Sequence, residues 1–140
     1  MQSPAVSEKP AVTSPIAVIE AAYAAYARRD FAAILSLYDP KCELEQSGLL
    51  PWGGTYHGHL GLQHFFEQLT AAIDTQIVDE TLFEAGDKVI SIGRTKGVAR
   101  ASGTPFELPA VHVYTVKNGR ISRFEAYVDT PAMRLALDRS

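Results

Sequence analysis

Apolar residues recur along this chain with two different periods, and the change falls near residue 75. Before it the spacing is helical. Ile16, Ile19, Tyr23 and Tyr26 lie on one helical face. Ser14-Pro15 supplies a hydroxyl cap and a proline at the first helical position. Asp30 caps a second short helix over residues 31–38, with Phe31, Ile34 and Leu35 inward, and Asp39-Pro40 ends it. Residues 42–46 alternate as a short strand, and residues 47–55 form a loop carrying Trp52 between Pro51 and Gly53-Gly54. A third helix over residues 58–72 turns Leu62, Phe65, Phe66 and Leu69 to one side.

After residue 75 the period is two, as in half-buried strands. Strands are expected at 76–84, 88–100, 106–116 and 120–128, with turns at Ala85-Gly86-Asp87 and Lys117-Asn118-Gly119. Thr130-Pro131 starts a short final helix through Leu137. Helices segregated from an antiparallel sheet make the class α+β. Gly93 and Gly97 share one face of the 88–100 strand, which suggests a bend with a concave side. A curved sheet closed by helices makes a cone around a pocket.

The bulk numbers narrow the function. The chain has 140 residues, enough for one domain with its own core. The apolar fraction is 46%, the charged fraction 21%, and the net charge −3 with no basic block, which argues against a nucleic-acid or anionic-membrane surface. Cys42 is the one cysteine, so no intrachain disulfide forms. No apolar run reaches the ~20 residues that span a bilayer. Residues 1–14 lack the basic and apolar regions of a signal peptide and read as a flexible tail ahead of a domain at 15–140. The expected compartment is the cytoplasm.

Several motifs carry a family resemblance in order and spacing. They are Arg28-Arg29-Asp30-Phe31, Tyr38-Asp39-Pro40, and the stretch Pro51-Trp52-Gly53-Gly54-Thr55-Tyr56-His57-Gly58. After them come Val111-His112-Val113-Tyr114-Thr115-Val116, Asn118-Gly119-Arg120-Ile121 and Ala126-Tyr127-Val128-Asp129. Together they resemble the SnoaL-like polyketide cyclases and ketosteroid-isomerase relatives, which share the cone-shaped fold of nuclear transport factor 2. The resemblance implies an α+β barrel with a curved antiparallel sheet wrapped on N-terminal helices. It also implies a cofactor-independent isomerase, cyclase or hydrolase acting on a small apolar or polycyclic ligand. The fold alone does not fix the reaction.

Two residues are candidates for proton chemistry. Asp129, at the end of the last strand, stands where the cyclases' acid/base aspartate resembles it. A carboxylate against an apolar wall can move protons near neutrality. The plainer role is a carboxylate at the start of the final helix. His112 falls where the isomerases keep an oxyanion-binding acid, and an imidazole can donate to a developing oxyanion. The plainer role is a core histidine with one satisfied hydrogen bond. A two-residue hairpin loop would pair His112 with Glu125 and give Asp129 the same face, whereas a three-residue loop would separate them. The isomerases' proton-abstracting aspartate corresponds to Gln46, which cannot act as a base.

Tyr23, Tyr26, Tyr114, Trp52, Phe65 and Phe124 are the expected ligand-contacting residues, with Trp52 either a lid or a core plug. His57, His59 and His64 lack acidic or cysteine partners nearby, so neither a metal nor another cofactor is expected. Two further readings stand beside the enzyme. One is a binding module without chemistry. The other is a homodimer or adaptor joined through the sheet, with Val111 and Val113 on the interface.

Overall fold

The computed structural model describes residues 14–138, so residues 1–13 of the tail expected at 1–14 lie outside the described residues, and Ser14 belongs to the first helix as its cap. The first helix, α1 (Pro15–Ala27), starts where Ser14 Oγ accepts from the Ala17 N–H at 3.1 Å. The second, α2 (Phe31–Ser36), starts where Asp30 Oδ1 accepts from Ala33 N–H at 3.1 Å. It ends two residues before the expected boundary. Pro40 disfavours helix at Asp39, and Tyr38 already belongs to strand β1 (Tyr38–Gln46). Within the expected loop the chain forms a short strand, β2 (Gly54–His57), paired antiparallel to β1 from Glu43↔His57 to Gln46↔Gly54. Four residues with a leading glycine carry too little alternation to announce a strand.

Helix α3 (Gly58–Ala72) is followed by the meander β3 (Ile73–Ala85), β4 (Lys88–Ala99), β5 (Pro105–Lys117) and β6 (Arg120–Val128), then α4 (Thr130–Asp138). The six strands form one sheet in the order β2-β1-β6-β5-β4-β3. All neighbouring pairs are antiparallel except β1 with β6, which run parallel. The helices cover the concave face, and the core gathers Val18, Ile19, Ile34, Leu44, Trp52, Leu62, Phe65 and Ile121.

Pairing is irregular in three places: between Tyr38 and Glu43 of β1 against β6, in β3, and in the β5–β6 hairpin. In β3 the register slips between Val78 and Thr81, and Asp79 takes a positive φ of 55°. Opposite this stretch, β4 passes so close that a side chain cannot fit. A Cβ on Gly93 would lie 2.9 Å from the Val78 carbonyl oxygen, and one on Gly97 would lie 1.9 Å from that of Asp74. The expected bend at these glycines is therefore present, and its cause is this close backbone approach.

The hairpin irregularity decides the site. The β5–β6 hairpin has the two-residue loop Asn118-Gly119, closed by Lys117↔Arg120 and Val116↔Ile121. The next pair is Thr115↔Arg123, so Ser122 is an extra residue, and its Oγ donates to the Thr115 carbonyl at 3.3 Å. This bulge shifts every later pair by one, so His112 lies opposite Ala126 rather than Glu125 or Phe124. Phe124, Ala126 and Val128 face the concave side, and Glu125 and Tyr127 the convex side.

Gly97→Ala should destabilise the domain by about 1–3 kcal/mol, the range of overpacking. Chemical denaturation would check this, and a loss below 1 kcal/mol would contradict the close approach.

Candidate functional site

Under the helices the concave face leaves a chamber with a free volume of about 100 Å³, lined mainly by apolar and aromatic side chains. A water needs roughly 10–15 Å³ on this measure, so the space suits a small ring system. Tyr23, Tyr26, Trp52, Phe65, Tyr114, Phe124 and His112 all line it. Each arrives by a local rule. Tyr23 and Tyr26 sit one turn apart on α1. His112 and Tyr114 alternate inward on β5, and Phe124 faces inward on β6 through the Ser122 bulge.

At the centre three side chains form a hydrogen-bonded chain. Tyr114 Oη donates to Tyr23 Oη at 3.1 Å. Tyr23 Oη lies 2.9 Å from His112 Nδ1. Tyr114 Oη also lies 3.4 Å from Nδ1; with two hydroxyls converging on that nitrogen, we infer that Nδ1 accepts from Tyr23 and that His112 carries its proton on Nε2. Nε2 makes no hydrogen bond among the described residues. Phe124 completes the cluster, stacked on Tyr114 at 4.7 Å and edge-on to His112 at 5.1 Å.

Burial keeps this cluster uncharged. It lowers the His112 pKa from 6.5 to about 4. It raises Tyr23 to about 12, with the neighbouring Ser91 and Tyr114 hydroxyls partly opposing. Tyr114 and Tyr38 are pushed well above the ordinary tyrosine range by the same desolvation.

A second polar group shares its row. Gln46, Ala126 and His112 are successive partners across β1, β6 and β5. Gln46 and His112 are therefore two strand spacings, roughly 10 Å, apart. The small Ala126 between them leaves room. Trp52, 1% exposed, donates its Nε1–H to Gln46 Oε1 at 3.0 Å. An indole can only donate, so the amide oxygen is fixed and the amide NH₂ is the group left over. Trp52 is thus a buried wall that orients Gln46, not a lid. The sequence marked Gln46 only as a missing base. Its pairing with Trp52 has no signal in residue spacing. A surface hollow shares Gln46, Ala126 and Val128 with the chamber and adjoins it at this end.

Asp129 is placed differently from the expectation. Its carboxylate is exposed, accepts from the Ala132 N–H at 3.1 Å, and caps the first turn of α4. It does not line the chamber. The Ser122 bulge gives the chamber face to Ala126 and Val128, so the structure does not bring Asp129 and His112 together. Among the described residues no aspartate or glutamate lines the chamber.

The remaining histidines serve separate partners. His59 Nε2 lies 2.9 Å from the Tyr38 carbonyl, His57 lies 3.5 Å from Glu43, and His64 lies 4.0 Å from Glu67. On the convex face Arg123 binds Glu43, Glu45 and Glu125. Hydrogen bonding from Tyr127 foremost, with Arg123, holds the Glu125 carboxyl below its usual range.

His112 links stability to pH. It is neutral in the fold down to about 4 but protonates near 6.5 when unfolded. Between those values the unfolded chain binds more protons, so stability falls as pH drops through this window and is independent of His112 above it. The His112→Gln variant should lack on the order of 3 kcal/mol of this fall, measured by denaturation from pH 7 to 4. Equal slopes in both proteins would contradict the buried neutral imidazole.

The family model for the SnoaL-like domain matches residues 19–124. Three solved structures are similar over most of the chain. An NTF2-like protein from Burkholderia thailandensis is 31% identical, with a TM-score of 0.81, covering 89% of this chain and 98% of that one. TerC, co-crystallized with polyporic acid, is 30% identical, with a TM-score of 0.80 and coverage of 88% and 97%. An NTF2-like protein of unknown function from Burkholderia pseudomallei is 26% identical, with a TM-score of 0.82 and coverage of 88% and 96%. No curated protein matches the chain significantly. The matched motifs, the wrapped six-stranded sheet and these likenesses agree: the chain belongs to the SnoaL-like domain family, with the NTF2-like fold.

Proposed function

We propose that this protein binds an uncharged, ring-containing carbonyl compound in the chamber and promotes a proton shift on it. The observation that carries this reading is the chain Tyr114–Tyr23–His112, which orients one neutral N–H donor in an apolar enclosure. A carbonyl oxygen at His112 Nε2–H gains negative character as the adjacent C–H ionises. A preorganised donor in a dry site stabilises that charge more than water does. A charged ligand is disfavoured, because nothing ionised in the lining compensates its lost hydration. The co-crystallization of the 30%-identical TerC with polyporic acid supports an organic ligand.

A second reading has its own support. Among the described residues the lining holds no carboxylate, so the first reading takes hydroxide as its base, which becomes water as the C–H ionises, and retention of a ligand without chemistry needs no base at all. One experiment separates the two. Deuterium exchange at the carbon beside the carbonyl of a tetralone is followed by NMR, with and without the protein. Acceleration that drops about a hundredfold in His112→Ala supports catalysis. Exchange at the buffer rate, despite measurable binding, supports the binding module.

We also propose a homodimer through the convex sheet face. There Ile92, Val111 and Tyr127 form one cross-strand row, and Ile92 and Tyr127 are 49% and 54% exposed. A patch of this kind on an otherwise charged face suits an interface. At micromolar concentration the wild type should sediment as a dimer and Ile92→Glu as a monomer. A monomeric wild type would contradict it.

A further inference from the structure

We propose that Gln46 is a specificity-determining residue, whose amide N–H takes a hydrogen-bond acceptor on a substituent of the bound ring compound. The inference rests on the chamber being a ligand site and adds what the ligand carries at the β1 end. Gln46 is half-buried and lines both the chamber and the adjoining hollow. Its partners across the sheet, on the same face, are Gly54 of β2 and Ala126 of β6. Neither has a polar side chain. Trp52 takes the amide oxygen, and the amide nitrogen makes no hydrogen bond among the described residues. Among those residues the one unpartnered polar side-chain atom sealed from free space is the Tyr26 hydroxyl, so the Gln46 nitrogen keeps access to free space. A half-buried amide with two open donors calls for an acceptor.

The donor is held in place by its own loop. Tyr56 Oη donates to the Trp52 and Gly53 carbonyls at 2.9 and 3.2 Å. The loop folds back so tightly that a Cβ on Gly53 would lie 1.7 Å from the Ser47 carbonyl oxygen. From α4, Arg134 Nη1 donates to the Leu49 carbonyl at 2.7 Å. The indole is therefore fixed from β2 and from α4. Turning the amide over would set its N–H groups against the indole N–H and leave a buried donor unpaired. Trp52 thus acts as a positioning residue, and a donor oriented before binding costs the ligand little to engage.

The surroundings select the ligand class. Beyond Gln46 the hollow has a free volume of about 440 Å³, and Ser47, Thr55 and Thr130 bring hydroxyls to its lining. The chamber on the other side is mainly apolar. Among the described residues the one charged group on the hollow's lining is the acidic Glu45. A neutral acceptor, such as a ketone or ester on the ring, fits this position better than an anion does. The plainer role for Gln46 is to satisfy the Trp52 N–H. That role uses the amide oxygen alone and leaves the nitrogen without a task.

The test changes the nitrogen and keeps the oxygen. Gln46→Glu retains an acceptor for the Trp52 N–H and replaces the ligand-facing donor with a second oxygen. The probes are tetralones bearing an acetyl group at each open carbon of the aromatic ring. Each is paired with its isopropenyl counterpart, in which C=CH₂ replaces C=O in the same shape. Affinities are read by calorimetry at pH 8, where the new glutamate is ionised. For at least one position, the wild type should bind the acetyl compound roughly tenfold tighter than its isopropenyl twin. Gln46→Glu should abolish or reverse that preference, and Gln46→Met should abolish it. The ratio is taken within one protein, so a loss of stability in either variant does not imitate the result. Equal affinities within every pair for the wild type, or a preference that survives in Gln46→Glu, overturns the role of Gln46 while leaving the chamber reading intact. Failure of every tetralone, substituted or not, to bind the wild type overturns both.

Discussion

The contact on which the site depends is the hydrogen bond from Tyr23, on the first helix, to His112, in the middle of the sheet. It ties the helical layer to the concave face, fixes one imidazole tautomer, and lets a titratable group sit among aromatic rings without charge. Desolvation would make a protonated imidazole expensive there, so the neutral form wins. The tyrosines beside it also stay neutral, because the same burial penalises a phenolate there. The chamber becomes a set of oriented dipoles in a mainly apolar enclosure rather than a pair of ionised groups.

The shape of that enclosure comes from two departures from regular pairing. The close passage of β4 past β3 at Gly93 and Gly97 curls one edge of the sheet inward. The Ser122 bulge turns Ala126 and Val128 toward the helices and leaves a floor of small groups between Gln46 and His112. Either feature would be lost by a change that leaves composition untouched. Backbone geometry therefore positions the chemistry as much as the side chains do.

Much of this was legible in the residue pattern. The spacing Tyr23–Tyr26 on one helical face and the parity of His112 and Tyr114 on one strand point to four side chains that all line the chamber. Local periodicity dictates such positions, and tertiary context does not overturn it. Asp129 was misread for a definable reason. Parity arguments carry along a strand only while pairing is regular, and Ser122 has no property that announces a bulge. The cap that Asp129 supplies to α4 was the alternative visible in Thr130-Pro131. β2 escaped notice because four residues give no period. The Trp52–Gln46 bond escaped because it joins a loop to a strand across a distance that spacing does not encode.

The central claim is that His112 stands neutral, protonated on Nε2, with Nδ1 taken up by Tyr23. Nitrogen-15 NMR of the protein labelled at histidine, recorded from pH 8 to 4, addresses it directly. The account predicts one imidazole that keeps the Nε2–H tautomer signature and begins to titrate only as the pH approaches about 4. An imidazole assigned to His112 that titrates near 6.5, or that carries its proton on Nδ1, would contradict it.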